Sequence, residues 1–415
     1  MKKIYCDPAQ TLGCAGCGKC CGSWGVPVTG EELRRICALP LTGLPVPVEQ
    51  RCFKRTKEGF WLAKRDGRCI FLDAEKKCRI HAQFGFEAKP LTCRLYPLDV
   101  RTWSDGSVSA SLRCDCPAAA CGQGTPLGQC GKQISAFAGE LEGRRKTATA
   151  DYSDVLAPEV VRLHEIADAY ERILMERSVP LNVRFYAAAC LVHFHSKPGN
   201  SDDILEAEEF GEDAFSFFRR SVDHLSACLA DPPKLRRDAL VAFRFLFWNF
   251  LRADESASFL LRLRGTFDSL RFILGGGTLK RTSAGYDVNA KGVFAAMMRC
   301  TPEPGAFEPY LRFLRGRLAS LHFCGTPSHG LTFEEGMLYL LASYPAVRAL
   351  SSLSALSHGK LQFSTEDVTR AVMRLDHGFL RTGLYALKSM RSSLRKLVSE
   401  ENFAALLACC PEKTE

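Results

Sequence analysis

No apolar run in the 415 residues approaches the ~18 positions that a membrane-spanning helix requires. The most apolar stretch, Ala239 to Leu251, is interrupted by Arg244 and Asn249. The first ten residues, MKKIYCDPAQ, are positively charged but lack the apolar core of a signal peptide. These absences predict a soluble, cytoplasmic protein that does not enter a membrane. Nucleotide signatures are missing as well. There is no P-loop, and the run Ile273-Leu274-Gly275-Gly276-Gly277 lacks the G-x-G-x-x-G order of a dinucleotide turn. It reads as a helix C-terminus and loop. No Ser/His/Asp series stands out. Histidine is nearly missing from the first third, where His81 is the only one before residue 150. His193 and His195 sit two apart on a predicted helix and point about 200° from each other. They cannot share a metal there, and read as structural.

Cysteine is the exception to this ordinary composition. Of 20 cysteines, 14 lie in residues 1–130 and six in the remainder. In a reducing compartment dense thiols bind metal more often than they form disulfides. Charge divides at the same place. Residues 1–150 hold 23 Lys and Arg against 14 Asp and Glu, so the net +9 of the whole chain sits there. Metal-bound thiolates carry negative charge that nearby Lys and Arg offset, which accounts for the excess. Nucleic-acid binding is not expected, since no recognition motif accompanies the charge.

The pattern along the chain predicts a mainly α protein: a small, loop-rich, metal-stapled cysteine domain (1–121), a linker (122–150) and an all-helical domain (151–415). Thr29 with Glu32 makes a capping box for a helix over Thr29–Ala38, Leu33 and Ile36 inward. Strand-like runs follow at Phe60–Ala63 and Ser107–Leu112. Helical stripes predict helices around Leu163–Leu174, over 181–196, over Pro232–Leu251 and along Phe307–Leu321. Thr332 with Glu335 starts another, expected to end near Tyr344–Pro345. Ser364 with Asp367 starts one more. Periodicity suggests eight to ten helices in 151–410.

The strongest local signal is Cys14-x2-Cys17-x2-Cys20-Cys21. A Cys-x2-Cys knuckle turns two sulfurs to one side, where they converge on one metal. Gly16 and Gly18 permit the tight backbone this requires. Cys20 and Cys21 are adjacent, their side chains diverge, and the two serve different metals or one is a supporting thiol. Other ligands must come from Cys69 and Cys78 in GRCIFLDAEKKCRIH, Cys93 in KPLTCRLYP, and Cys114 and Cys116 in SLRCDCP. The first three cysteines, at Cys-x2-Cys-x2-Cys spacing, and the Cys116-Pro117 pair also fit a ferredoxin loop.

The run CAGCGKCC, followed by GRCIFLDAEKKCRIHAQFGFEAKPLTCRLYP, resembles the CxxCxxCC (YkgJ-type) cysteine-cluster family, described as chelating zinc or iron. The resemblance covers about residues 12–118 and implies Cys14, Cys17, Cys20, Cys21, Cys69, Cys78 and Cys93 as its cysteines. The flagellin lysine-N-methylases, a similar branch with a long helical C-terminal part, add a Cys-Pro element matched by Cys116-Pro117. That likeness implies S-adenosylmethionine as a further cofactor and flagellin as a protein substrate.

Two four-thiolate zinc sites and one iron–sulfur cluster with spare thiols both suit eight cysteines. A second Cys-x2-Cys pair is missing, which favours iron–sulfur over zinc. The radical S-adenosylmethionine spacing Cys-x3-Cys-x2-Cys is absent. Three functions stay open: a metalloprotein whose helical domain meets a protein partner or substrate, a protein lysine N-methyltransferase, and a metal-trafficking protein. Arg94 and Lys89 either offset thiolate charge or bind a substrate carboxylate. His81 reads as structural, Trp24 and Trp61 as packing over the cluster, and Cys121 and Cys130 as extra ligands or redox thiols. Cys190, Cys228, Cys300 and Cys324 read as small core residues, and Cys409-Cys410 as incidental.

Overall fold

The computed structural model describes residues 2–23, 25–44, 52–57, 59–145, 157–195, 207–251, 259–280, 282–325, 328–381 and 383–412. Trp24 lies outside them, as do the last five residues of the expected linker.

The N-terminal part is built around two three-stranded sheets, with two two-stranded pairs beside them among the described residues. In the first, the strand Gly59–Leu62 lies between Pro27–Val28 and Phe53–Thr56, antiparallel to both. The helix Gly30–Cys37 packs beside it, with Ile36 buried in the core they share. Its capping box is formed: the Glu32 N–H donates to Thr29 Oγ1, and the Thr29 N–H donates to Glu32 Oε2. In the second sheet, Val108–Leu112 pairs parallel with Ile4–Tyr5 and antiparallel with Leu98–Thr102.

Val108–Leu112 is buried on both faces, and its alternation tells what each face meets. Val108, Ala110 and Leu112 share a core with Ile134, Phe137 and Ala138 of the helix Gly131–Arg145. Ser109 and Ser111 face the helical region, where Ser111 Oγ donates to the Gly316 carbonyl. The stretch expected as a linker therefore holds a helix docked on this sheet. Its core-facing Ile134, Phe137 and Ala138 recur at three- and four-residue spacing, a signal the surrounding glycines and charges obscured.

The helical region has eleven α-helices among the described residues, from Ala157–Met175 to Glu400–Ala408. Two short strand pairs accompany them, Thr278–Leu279 with Val288–Asn289 and Thr301–Pro302 with Gln362–Phe363. Three expectations are corrected. The helix count exceeds eight to ten. The helix expected from Pro232 starts at Arg237. The helix expected to stop at Pro345 runs Phe333–Ser357, straight through it. A proline inside a helix costs ~3 kcal/mol. Here nearly every side chain from Glu335 to Ser352 is buried, and that packing outweighs the lost hydrogen bond.

The C-terminus is docked rather than incidental. Cys410 is buried, and Glu412 accepts the N–H groups of Leu181 and Asn182 at 3.0 and 2.9 Å, closing the start of the helix Leu181–His195. The glycine run after Ile273 forms a helix end, as its sequence suggests. Among the described residues no helix is long and apolar enough to cross a membrane.

Candidate metal centre

Four chain segments converge on the cysteines. The loop 14–21 is shaped by Gly16 and Gly18, both in the left-handed region at φ +62° and +67°. The Gly16 N–H donates to Cys14 Sγ at 3.5 Å, the local bond that supports a thiolate in a knuckle. A Cβ on Gly18 would lie 3.1 Å from Lys76 Cβ, so the loop rests on the 72–78 turn. A single helical turn, Cys20–Ser23, follows and packs beside the strand Arg68–Cys69. Lys64 Nζ donates to the Gly22 carbonyl at 2.7 Å across this contact.

Cys69 and Cys78 are too far apart in sequence for a knuckle, yet the fold brings them back together. Leu72 and Cys78 form an antiparallel bridge, and Asp73 closes the turn by accepting the Lys77 N–H at 2.6 Å. Cys78 precedes the helix Arg79–Phe84. Cys93 lies in the helix Leu91–Leu95, whose first turn is tied by the Glu32 carboxylate accepting the Leu91 N–H at 2.7 Å. Cys116 precedes the turn Pro117–Ala120.

The thiols act on one another. Burial pushes Cys93 up to about 12, and Cys69, Cys78 and Cys20 push the same way. Burial pushes Cys69 up to about 11, with Cys78 adding to it. Cys20 is raised by its contact with Cys21, Sγ to Sγ 3.8 Å, and by burial. Burial also raises Cys116, opposed by the Ala119 and Ala118 N–H groups. Thiols that lose water beside other thiols keep their protons until a cation arrives to neutralise them. Three lysines lie among the thiols, and of these the sequence singles out Lys89. Lys89 favours the thiolates of Cys93 and Cys20, Lys64 that of Cys69, and Lys19 lies near Cys17 and Cys116.

Six of the eight expected ligands, Cys20, Cys21, Cys69, Cys78, Cys93 and Cys116, are thus neighbours. Cys14 and Cys17 stand exposed on the loop beside them. Among the described residues no three donors are already at ligand spacing. The donor chemistry nonetheless fits a thiophilic metal: clustered sulfurs, partly dry, with lysines to offset their charge.

Several residues fall outside the group. Arg94 is buried and committed to Glu87 at 2.7 Å and Glu140 at 2.6 Å, so it neither offsets the thiols nor offers a substrate cradle. Both partners are remote in sequence or exposed, which hid the pairing. His81 is exposed and sets its ring edge on Phe86. Trp61 donates to Thr56 Oγ1 and packs on Gly25, within the sheet. Cys121 is exposed, Cys130 bonds the Pro126 carbonyl, and His193 bonds the Val398 carbonyl.

Residues 13–115 match the CxxCxxCC family, described as "Putative zinc- or iron-chelating domain". The match is a quarter of the chain. It takes in every expected ligand but Cys116, which lies one residue beyond it. No curated protein and no solved structure matches the chain.

One arrangement went unseen in the sequence. Ser109 Oγ lies 3.1 Å from His322 Nε2, and His322 Nδ1 lies 3.3 Å from Asp99 Oδ2. The order is that of a hydrolytic triad, but Ser109 and His322 are both 0% exposed. No substrate reaches a serine so enclosed. The three residues join the second sheet to the helical region.

Proposed function

We propose that the N-terminal region binds a metal centre through thiolates of Cys14, Cys17, Cys20, Cys21, Cys69, Cys78, Cys93 and Cys116. The observation that carries this reading is the meeting of thiols from four separate segments, with lysines beside them. Cys93 feels the charges of Cys20, Cys69 and Cys78, and these would make the first set of four. Cys14 and Cys17 would close over it from the loop. An iron–sulfur cluster is the favoured occupant, ahead of zinc, on the ferredoxin-like spacing of the loop and the lack of a second knuckle. The cluster would supply one-electron chemistry, whereas zinc would clasp the loops.

The helical region would then serve as the surface for a protein partner or substrate, since the cysteine region is sewn to it. Asp376 accepts the Cys114 N–H at 2.6 Å and pairs with Arg317, while Asp115 takes Arg113 at 2.7 Å and lies 3.5 Å from His377. No observation favours a bound S-adenosylmethionine, so methyl transfer is left to the test. Anaerobic purification with iron, zinc and acid-labile sulfide analysis decides the occupant. Iron with matching sulfide supports the cluster. Zinc without sulfide supports the clasp. Absence of both from chain purified under either metal supply would overturn the reading. S-adenosylmethionine binding by calorimetry would bring the methyltransferase back.

A further inference from the structure

The helical region carries a donor cluster of its own. His224 and Cys228 stand one turn apart on the helix Ala207–Ala230, with Cys228 Sγ 3.8 Å from His224 Nε2. Around a zinc-sized ion, a sulfur at ~2.3 Å and a nitrogen at ~2.05 Å in tetrahedral positions are ~3.6 Å apart. The observed pair is close to that edge. This helix packs on Leu181–His195 and Glu400–Ala408, which also pack on each other. Leu181–His195 contributes Cys190, and Glu400 opens the third helix. Burial raises the Cys190 thiol to about 12, and the charges of Glu400 and Cys228 push the same way, while Tyr186 hydrogen-bonds it. The two thiols are half-buried, and His224 and Glu400 are exposed. The group therefore opens to solvent on one side.

We propose that Cys190, His224, Cys228 and Glu400 form a second metal site, of the zinc class, that clasps three helices of the helical region. Two thiolates, an imidazole and a carboxylate are donor types that zinc takes in tetrahedral sites. As a set of three or more they are not yet at ligand spacing. His224 and Glu400, at the surface, can turn onto an ion without disturbing the core. In the sequence Cys190 and Cys228 look like small core residues, because their helices are apolar and the donors lie on three separate elements. The site is independent of the N-terminal thiols.

The test uses the full chain, stripped of metal by a chelator under anaerobic reducing conditions and titrated with Co2+ and then Zn2+. Cys228→Ser and His224→Ala are each expected to bind about one ion fewer per chain than the wild type. Cys17→Ser is expected to keep the ion that those variants lose. His224 is exposed, so His224→Ala keeps the fold, which circular dichroism checks. Equal ion counts in wild type, Cys228→Ser and His224→Ala would overturn the second site. Loss in those two variants, with none in Cys17→Ser or Cys93→Ser, would support it and count against the N-terminal reading instead.

Discussion

Cys93 concentrates the physical problem of the N-terminal region. Its thiol is largely removed from water, faces three other thiols, and has one lysine, Lys89, to favour its charge. Without a cation such a group is costly as a thiolate and unsatisfied as a thiol. Exchange to serine keeps the size and removes the sulfur. Cys93→Ser is expected to lose most of its bound metal. Its melting temperature should fall by about 4–8 °C, the shift that ~2 kcal/mol gives a unit of 150–250 residues. Cys300→Ser is the control, since its thiol lies in the helical core against the Ser352 carbonyl at 3.7 Å. It should keep its full metal content. Metal analysis and thermal unfolding of both variants check this, and full metal in Cys93→Ser would remove Cys93 from the ligand set. At this scale the sequence was informative about the loop's backbone, because Gly16 and Gly18 take the left-handed conformation that their place between the cysteines suggests. It was uninformative about Arg94, whose partner Glu140 lies 46 positions away.

Among the elements, the helix Gly30–Cys37 shows where local reading stops. Thr29 and Glu32 announce its start, and both capping bonds are present. The same Glu32 carboxylate also accepts the Leu91 N–H, 59 residues on, and pairs with Arg144 at 2.6 Å, 112 residues on. Burial opposes its charge, but the Arg144, Leu91 and Thr29 bonds together hold its carboxyl below the usual range. One side chain thus ties the first helix to the helix that carries Cys93 and to the helix Gly131–Arg145. Thr29→Ala removes a cap only and should cost about 1 kcal/mol. Glu32→Ala also strands a buried N–H and a guanidinium, and should cost roughly 3 kcal/mol with looser metal binding. Urea unfolding of the two variants compares them, and equal losses would mean that the long-range bonds contribute nothing. Pro345 teaches the converse. A local rule for stopping a helix was overridden by burial on every side, which only the assembled fold supplies.

At the scale of the whole molecule, the cysteine region and the helical region meet through buried polar groups, with Cys114 and Trp103 adding apolar contact to the helical core. Arg317 and Asp376 are both buried and paired, and Arg101 donates to the Cys324 carbonyl and Ser328 Oγ. Sequence periodicity reports which face of an element is buried, but these partners are some 60 to 230 residues apart and leave no periodic trace. Asp376→Ala leaves the Arg317 charge and the Cys114 N–H unpaired in the interior, and should cost about 3–5 kcal/mol. Differential scanning calorimetry reads that loss, which a surface pair would not give. The seam also sets the response to acid. Burial, with Arg101 beside it, pushes His322 down to about 4, against an ordinary value of 6.5. Between those values the unfolded chain takes up a proton that the folded chain refuses. Stability should therefore be complete above pH 6.5, fall by up to roughly 3 kcal/mol as pH drops toward 4, and level off below it. His164, stacked on Tyr5 and pushed down to about 3 by burial and Lys3, acts with the same sign. His322→Gln keeps a polar side chain toward Ser109 but cannot titrate. It should be less stable than the wild type at pH 7 and lose less between pH 7 and pH 5. Metal release on acidification is common to both proteins, so the difference between their slopes isolates the imidazole. Equal slopes would place the acid sensitivity elsewhere and leave the seam as a passive joint.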